Sequence, residues 1–194
     1  MAHSDDDLKI FHKEKLFQAI KSLNDSDHAV RRKGGIQLRE EGKASTLARS
    51  KLRELIYDND GCLRILAAEA LSHTQSHPLD AVPVLETALD VGRSMEITKS
   101  LETWLRLCLG ALYNFGDKAL SAERSVWPYL HTQPNINLML YATRVVSRFA
   151  KSSGASWTIL CLLCHHQDLT IRDYARKLMN SEEFKNYMKK DAVF

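Results

Sequence analysis

Apolar positions in this chain recur with a helical period inside short segments and with a longer period between segments. A register repeats five times, opening at Asp27, Asp60, Glu102, Asn135 and Asp168, at intervals of 33, 42, 33 and 33 residues. Three residues after each opening stands an apolar side chain: Val30, Leu63, Leu105, Leu138 or Ile171. Four residues farther come Gly34, Ala67, Leu109, Ala142 and Ala175, and four beyond those Leu38, Leu71, Tyr113, Val146 and Met179. Offsets of zero, four and eight share one face of a helix. The opening side chain can accept hydrogen bonds from the free amides of a first helical turn, and its charge or dipole suits the positive end of the helix. Helices are therefore predicted to begin near 27, 60, 102, 135 and 168.

A second apolar stretch precedes each opening: Leu16 to Leu23, Leu47 to Ile56, Val82 to Leu89, Val126 to Leu130, and Trp157 to Leu163. The Ser-Asp, Asn-Asp, Gln-Pro and Gln-Asp connections between the two stretches suit tight turns, so each repeat reads as a pair of antiparallel helices. Two amphipathic helices can bury their apolar faces only by stacking on neighbouring pairs, which makes the array an α-solenoid. The second-helix pattern Asp-x-x-[Val/Leu/Ile]-Arg-x-x-[Ala/Gly]-x-x-x-Leu resembles the HEAT-repeat consensus over roughly residues 14 to 180. That resemblance implies an all-α, right-handed solenoid of about five two-helix HEAT-like repeats with short terminal capping helices. It also implies that Asp27, Asp60 and Asp168, with Arg31, Arg64, Arg106 and Arg172, link neighbouring repeats. Glu102, Leu109, Asn135 and Met139 depart from the consensus. The resemblance names an architecture and no activity.

On this reading residues 1–6 are a disordered start, 7–190 one repeat domain, and 191–194 a tail. The stretch from Asp7 to Lys15 extends the first helix, and Ser181-Glu182-Glu183-Phe184 opens a short polar helix ending near Lys190. The 42-residue interval places about nine extra residues at Val91 to Lys99, either as a loop or as added helix. Arg93, Met95 and Glu96 make this insertion a second candidate contact, since loops inserted into repeats often lie at a binding edge.

In HEAT-like arrays the second helices line the concave surface. With the core at offsets zero, four, seven and eight, offsets two, five, six and nine point away from it. The outward set is therefore Arg32, Gly35, Ile36 and Arg39; Ile65, Ala68, Glu69 and Ser72; Leu107, Gly110, Ala111 and Asn114; Leu140, Thr143, Arg144 and Ser147; and Asp173, Arg176, Lys177 and Asn180. Ile65, Leu107 and Leu140 give this surface an apolar floor, with Arg or Lys towards both ends. Such a surface suits a peptide or helix with apolar anchors and acidic flanks. Two readings stay open: an exposed groove, or packing of the same side chains against the next repeat.

The composition narrows the choice of partner. Net charge is +3 with a pI of about 8.6, too mild an excess to name a partner unless it is concentrated. Nine of thirteen Arg residues lie on second helices, which keeps nucleic acid as the alternative, although four belong to the implied ladder and Glu69 and Asp173 interrupt the rest. The polar, acidic N-terminus carries no export signal and no apolar run is long enough to span a bilayer, so a monomeric, cytoplasmic protein without membrane contact is expected. Cys62, Cys108, Cys161 and Cys164 sit in apolar segments, as buried reduced thiols do.

Catalytic readings find little support. Cys161-Leu162-Leu163-Cys164-His165 spells a c-type haem attachment pattern, but it falls inside a repeat helix. Cys161, Cys164, His165 and His166 have no second ligand cluster near them in sequence, and His73 and His77 straddle the approach to Pro78. The His-Glu pairs of HEAT-like di-iron hydroxylases are missing. Trp104, Trp127 and Trp157 invite comparison with HEAT-like DNA glycosylases, yet packing accounts for them. HEAT-like proteins that attach or remove bilins are similar in repeat type and size, with no signature residue to choose them. Lys33-Gly34-Gly35 lacks the spacing of a phosphate loop. The sequence thus points to a non-enzymatic adaptor with no metal and no cofactor, binding a protein segment.

Overall fold

The computed structural model describes residues 5–41, 46–131, 135–182 and 184–186. Among these residues every regular element is a helix. The first pair is α1 (Asp5–Ser22) and α2 (His28–Glu41), and the second is α3 (Thr46–Leu55) and α4 (Gly61–His73). Next come α5 (Pro78–Gly92) and α6 (Lys99–Phe115). A broken run over Gly116–Leu130, containing the single-turn α7 (Glu123–Val126), leads to α8 (Ile136–Phe149). The last pair is α9 (Gly154–Leu163) and α10 (Leu169–Met179). No helix among the described residues is long and apolar enough to cross a membrane.

Four of the five expected openings start a helix as expected. Asp27 accepts from the Ala29 amide at 2.8 Å, Asp60 from Cys62 at 2.9 Å, Asn135 from Leu138 at 3.2 Å and Asp168 from Thr170 at 2.8 Å. Glu102 does not. Thr98 caps α6 instead, accepting from Leu101 at 3.2 Å, and Glu102 falls in the first turn. The extra residues of the third repeat therefore divide between a turn over 93–98 and a longer α6.

The fourth first helix, expected at Val126 to Leu130, is a chain of short turns instead. Two residues account for it. Gly116 ends α6 at φ 57°, a backbone conformation that favours glycine. Pro128 lacks the amide a continuous helix needs. Tyr129 anchors the run through its hydroxyl, which donates to the Leu89 carbonyl at 2.6 Å.

Contacts group the chain into two compact units, Met1–Val84 and Leu85–Phe194. In the first, α2 packs on α1 and α4, and α4 on α3. In the second, α8 packs against α6, α9 and α10. Leu63, Leu105, Leu138 and Ile171 are buried as the register requires, but Val30 is 36% exposed and Tyr113 and Met179 are only half-buried. Cys108 is fully buried, and burial pushes its thiol up to about 12. Phe184 is buried in a stack on Trp157, with ring centroids 5.6 Å apart, in the short helical stretch expected after Ser181. Residues 1–4, the expected helix end near Lys190 and the tail 191–194 lie outside the described residues, while α1 already includes Asp5 and Asp6.

Links between repeats in the first unit carry charge. The Asp60 side chain, 2% exposed, caps α4 and also accepts from Arg32 Nε at 2.7 Å and the Arg32 terminal nitrogen at 3.2 Å. Arg32 thus shares the linking role that the family resemblance gives to Arg31, which lies 3.8 Å from Asp58 of the next repeat and 3.1 Å from His28. Burial pushes the Asp60 carboxyl up, but the bonds from Arg32 and the Cys62 amide outweigh it and hold it below the ordinary carboxylate range. A depressed folded value means the stabilisation is complete above the unfolded pKa of about 3.9 and is lost as pH falls through the folded value. Asp60→Asn keeps a cap acceptor and loses the ionic partner. It should cost about 1–3 kcal/mol at pH 7 in urea unfolding, with the gap to wild type closing as pH drops below about 4. A gap that persists at low pH would assign the loss to packing.

Candidate functional site

The outward set of the first unit is largely occupied by the fold itself. Arg32 is tied to Asp60. Glu69, expected to face a partner, is buried: one oxygen takes His73 Nε2 at 2.8 Å and the other lies 3.7 Å from Arg39. Ala68 and Ser72 are buried as well, and the Ser72 hydroxyl donates to the Glu69 carbonyl at 2.6 Å. Ile65 is half-buried, and Ile36 is 43% exposed. Offsets five, six and nine of α4 thus belong to the core, because an interior second helix is covered on more than one side.

The second unit shows the same rule at offsets five and nine of α8, where Thr143 and Ser147 are buried with their hydroxyls donating to Met139 and Arg144 carbonyls. Ala111 at offset six of α6 is also buried. Leu107, Gly110 and Asn114 on α6 and Leu140 on α8 are half-buried, while Arg144, Asp173, Arg176, Lys177 and Asn180 are exposed. Arg176 also donates from Nε to the Cys164 carbonyl at 3.0 Å.

These helices bring together a group of side chains that the repeat register does not single out. The Arg106 guanidinium lies over the Tyr141 ring at 4.9 Å and donates to its hydroxyl at 3.1 Å, joining α6 to α8. Glu102 is 4.0 Å from Arg106 and accepts from the Asn137 side chain at 3.2 Å, along the same seam. Arg144 reaches back from α8 and lies over the Tyr113 ring at 4.1 Å. Burial pushes the Tyr174 phenol on α10 up, Arg144 works against that rise, and the Tyr113 and Tyr141 hydroxyls add to it. Two arginine–tyrosine contacts, Arg106 with Tyr141 and Arg144 with Tyr113, thus join α6 to α8, and the Tyr174 phenol on α10 feels Arg144.

Of these, the sequence reading placed Arg144 on the outward face, Arg106 in the ladder and Tyr113 in the core, and it passed over Tyr141 and Tyr174. A signal was present: Tyr141 and Tyr174 both stand three residues after their apolar register positions, 33 residues apart. The insertion is exposed, with Met95 at 53% and Arg93 4.0 Å from Asp90, and Glu96 is exposed beside them. Among the described residues no three His, Cys, Asp or Glu side chains gather as metal ligands would.

No protein-family model and no curated protein matches the chain. Solved structures do resemble it. An engineered protein aligns with a TM-score of 0.58 at 16% identity, over 94% of this chain and 83% of its own. A second engineered protein gives 0.55 at 16% identity, over 92% and 87%. The complex of CpcE and CpcF of phycocyanin lyase from Nostoc sp. PCC7120 gives 0.53 at 19% identity, over 98% of this chain and 83% of that one. At such identities the likeness shows the fold alone, an all-helical repeat.

Stacked on Tyr113 at an exposed position, Arg144 contributes little to folding. Arg144→Gln should lower stability by no more than about 1 kcal/mol, the usual worth of an exposed cation–π contact, seen as a small shift of the urea midpoint with unchanged slope. A loss several times larger would make Arg144 a structural residue and remove it from the candidate face.

Proposed function

We propose that this HEAT-like repeat protein is a non-enzymatic scaffold that holds a segment of a partner protein on the second-helix face of its C-terminal unit. The observation that carries the reading is the Tyr113, Tyr141, Tyr174, Arg106 and Arg144 group beside half-buried Leu107 and Leu140. Tyr and Arg dominate the energetic centres of protein interfaces because each offers apolar area and hydrogen bonds with little conformational freedom to lose. Stacking has already restricted both guanidiniums, which lowers the entropic cost of binding. Arg32, Arg39, Ile65 and Glu69 take no part in this reading. The exposed insertion at Arg93, Met95 and Glu96 is a second contact in the same proposal.

Two other readings rest on particular observations. Exposed Arg106, Arg144, Arg176 and Lys177 support nucleic-acid binding, and the likeness to phycocyanin lyase supports a bilin-lyase-like role. Affinity capture from the source cell's lysate, with and without nuclease, separates the first from the scaffold. The expected result is a nuclease-resistant protein partner that is lost in a folded Leu107→Glu, Leu140→Glu variant. Nuclease-sensitive material retained by that variant would transfer the function to the Arg-rich helices. A red-shifted bilin absorbance on adding free bilin to the pure protein would favour the third reading.

A further inference from the structure

Gly110 stands in the middle of α6, where a glycine costs roughly 1 kcal/mol relative to alanine. The other glycines of the described residues with close neighbours have reasons inside the fold. A Cβ at Gly34, Gly35 or Gly92 would come within 3.0 Å of a neighbouring atom, and Gly116 has positive φ. Gly61 and Gly154 open their helices. At Gly110 a Cβ would meet nothing within 4 Å among the described residues, and the residue is half-buried. Neither packing nor backbone conformation inside the protein requires it. The missing side chain leaves a bare patch of α6 backbone, one turn after Leu107 and one turn before Tyr113.

One turn farther along α6, over the Tyr113 ring, lies Arg144, exposed and without a carboxylate partner among the described residues. Arg106 differs, since Glu102 lies 4.0 Å from it. Two guanidinium charges against one carboxylate leave one positive charge in the cluster, and it belongs to Arg144. A guanidinium held over a tyrosine ring still offers its N–H donors, and its planar fork suits a planar bidentate acceptor. One uncompensated charge matches one carboxylate; a phosphate would bring nearly two negative charges.

Resting on the scaffold reading above, we infer that the occupant of this face is an acidic protein segment. Its backbone lies against α6 at Gly110, an apolar side chain rests on Leu107 and Leu140, and one Asp or Glu carboxylate pairs with Arg144. The glycine admits the chain, the leucines hold it, and the arginine sets its register.

The test is selection of a random 12-residue peptide display library on the full chain, followed by fluorescence anisotropy with an enriched peptide. Enriched sequences should carry an Asp or Glu within a few residues of a large apolar residue. Arg144→Gln should weaken binding roughly tenfold, the worth of a charged hydrogen bond, and should do so no further once the peptide's acid is replaced by its amide. Gly110→Ala should raise Tm by about 2–4 °C while weakening the same peptide roughly tenfold by crowding its backbone. Enrichment of peptides without an acidic residue, or a Gly110→Ala variant that binds normally, overturns this inference and leaves the scaffold reading standing. Preference for a phosphoserine version of the peptide over its Glu version overturns the single-carboxylate assignment. Absence of any enriched peptide, with nuclease-sensitive material in the capture experiment, overturns both.

Discussion

A hairpin of two amphipathic helices has more apolar surface than it can cover by itself, and the other features of this protein follow from that constraint. In α4 the buried residues run without a break from Leu66 to Ser72, and in α8 they include Thr143 and Ser147 as well as Leu138, Ala142 and Val146. Such helices are enclosed by neighbours on more than one side. By contrast α10, against which no later full helix packs among the described residues, buries Ile171 and Ala175 alone. Alanine at Ala67 and Ala68, and at Ala142, permits close approach of the helices. The larger Leu63, Leu71 and Val146 supply the buried area, each worth about 1.5–3 kcal/mol. Burial is thus distributed by position in the array as much as by residue type.

The polar residues of the register serve the same stacking. Asp60 satisfies the first turn of α4 and, through the same carboxylate, fixes Arg32 of the preceding second helix. A cap that also binds a neighbour sets the relative height of two helices, which apolar contacts alone leave loose. In the second unit this task passes to Glu102 with Asn137 and to Arg106 with Tyr141, across the seam between α6 and α8. Capping and linking have separated there: Thr98 begins the lengthened α6, and Glu102, one turn farther in, makes the link.

The helical pairing, four of the five caps and most of the core stripe were legible because period and capping chemistry are local properties of the chain. The repeat pattern does not encode the broken run over Gly116–Leu130, since Pro128 and the positive φ of Gly116 act at single positions. Outward positions were read correctly where a helix has a free side, as at Arg144, Arg176 and Lys177, and incorrectly at Glu69, Ala68, Thr143 and Ser147, where a neighbour covers the same offsets. A helical wheel gives angles about one axis. It does not report how many neighbours surround that axis, so it cannot separate exposed offsets from those buried in an interior repeat.

The same limitation explains why the aromatic part of the candidate face was missed. Tyr113 falls on the core stripe of its own helix, but its ring also supports Arg144 from the next one, so it belongs to two surfaces at once. Half-buried tyrosines suit that position: the ring can be held by the helix stack while the hydroxyl and one face remain available. Tyr141 and Tyr174 extend the arrangement with the spacing of the repeat itself. A solenoid that repeats its core thereby repeats its surface chemistry too, and a row of like side chains along successive second helices suits an extended segment better than a small compact ligand.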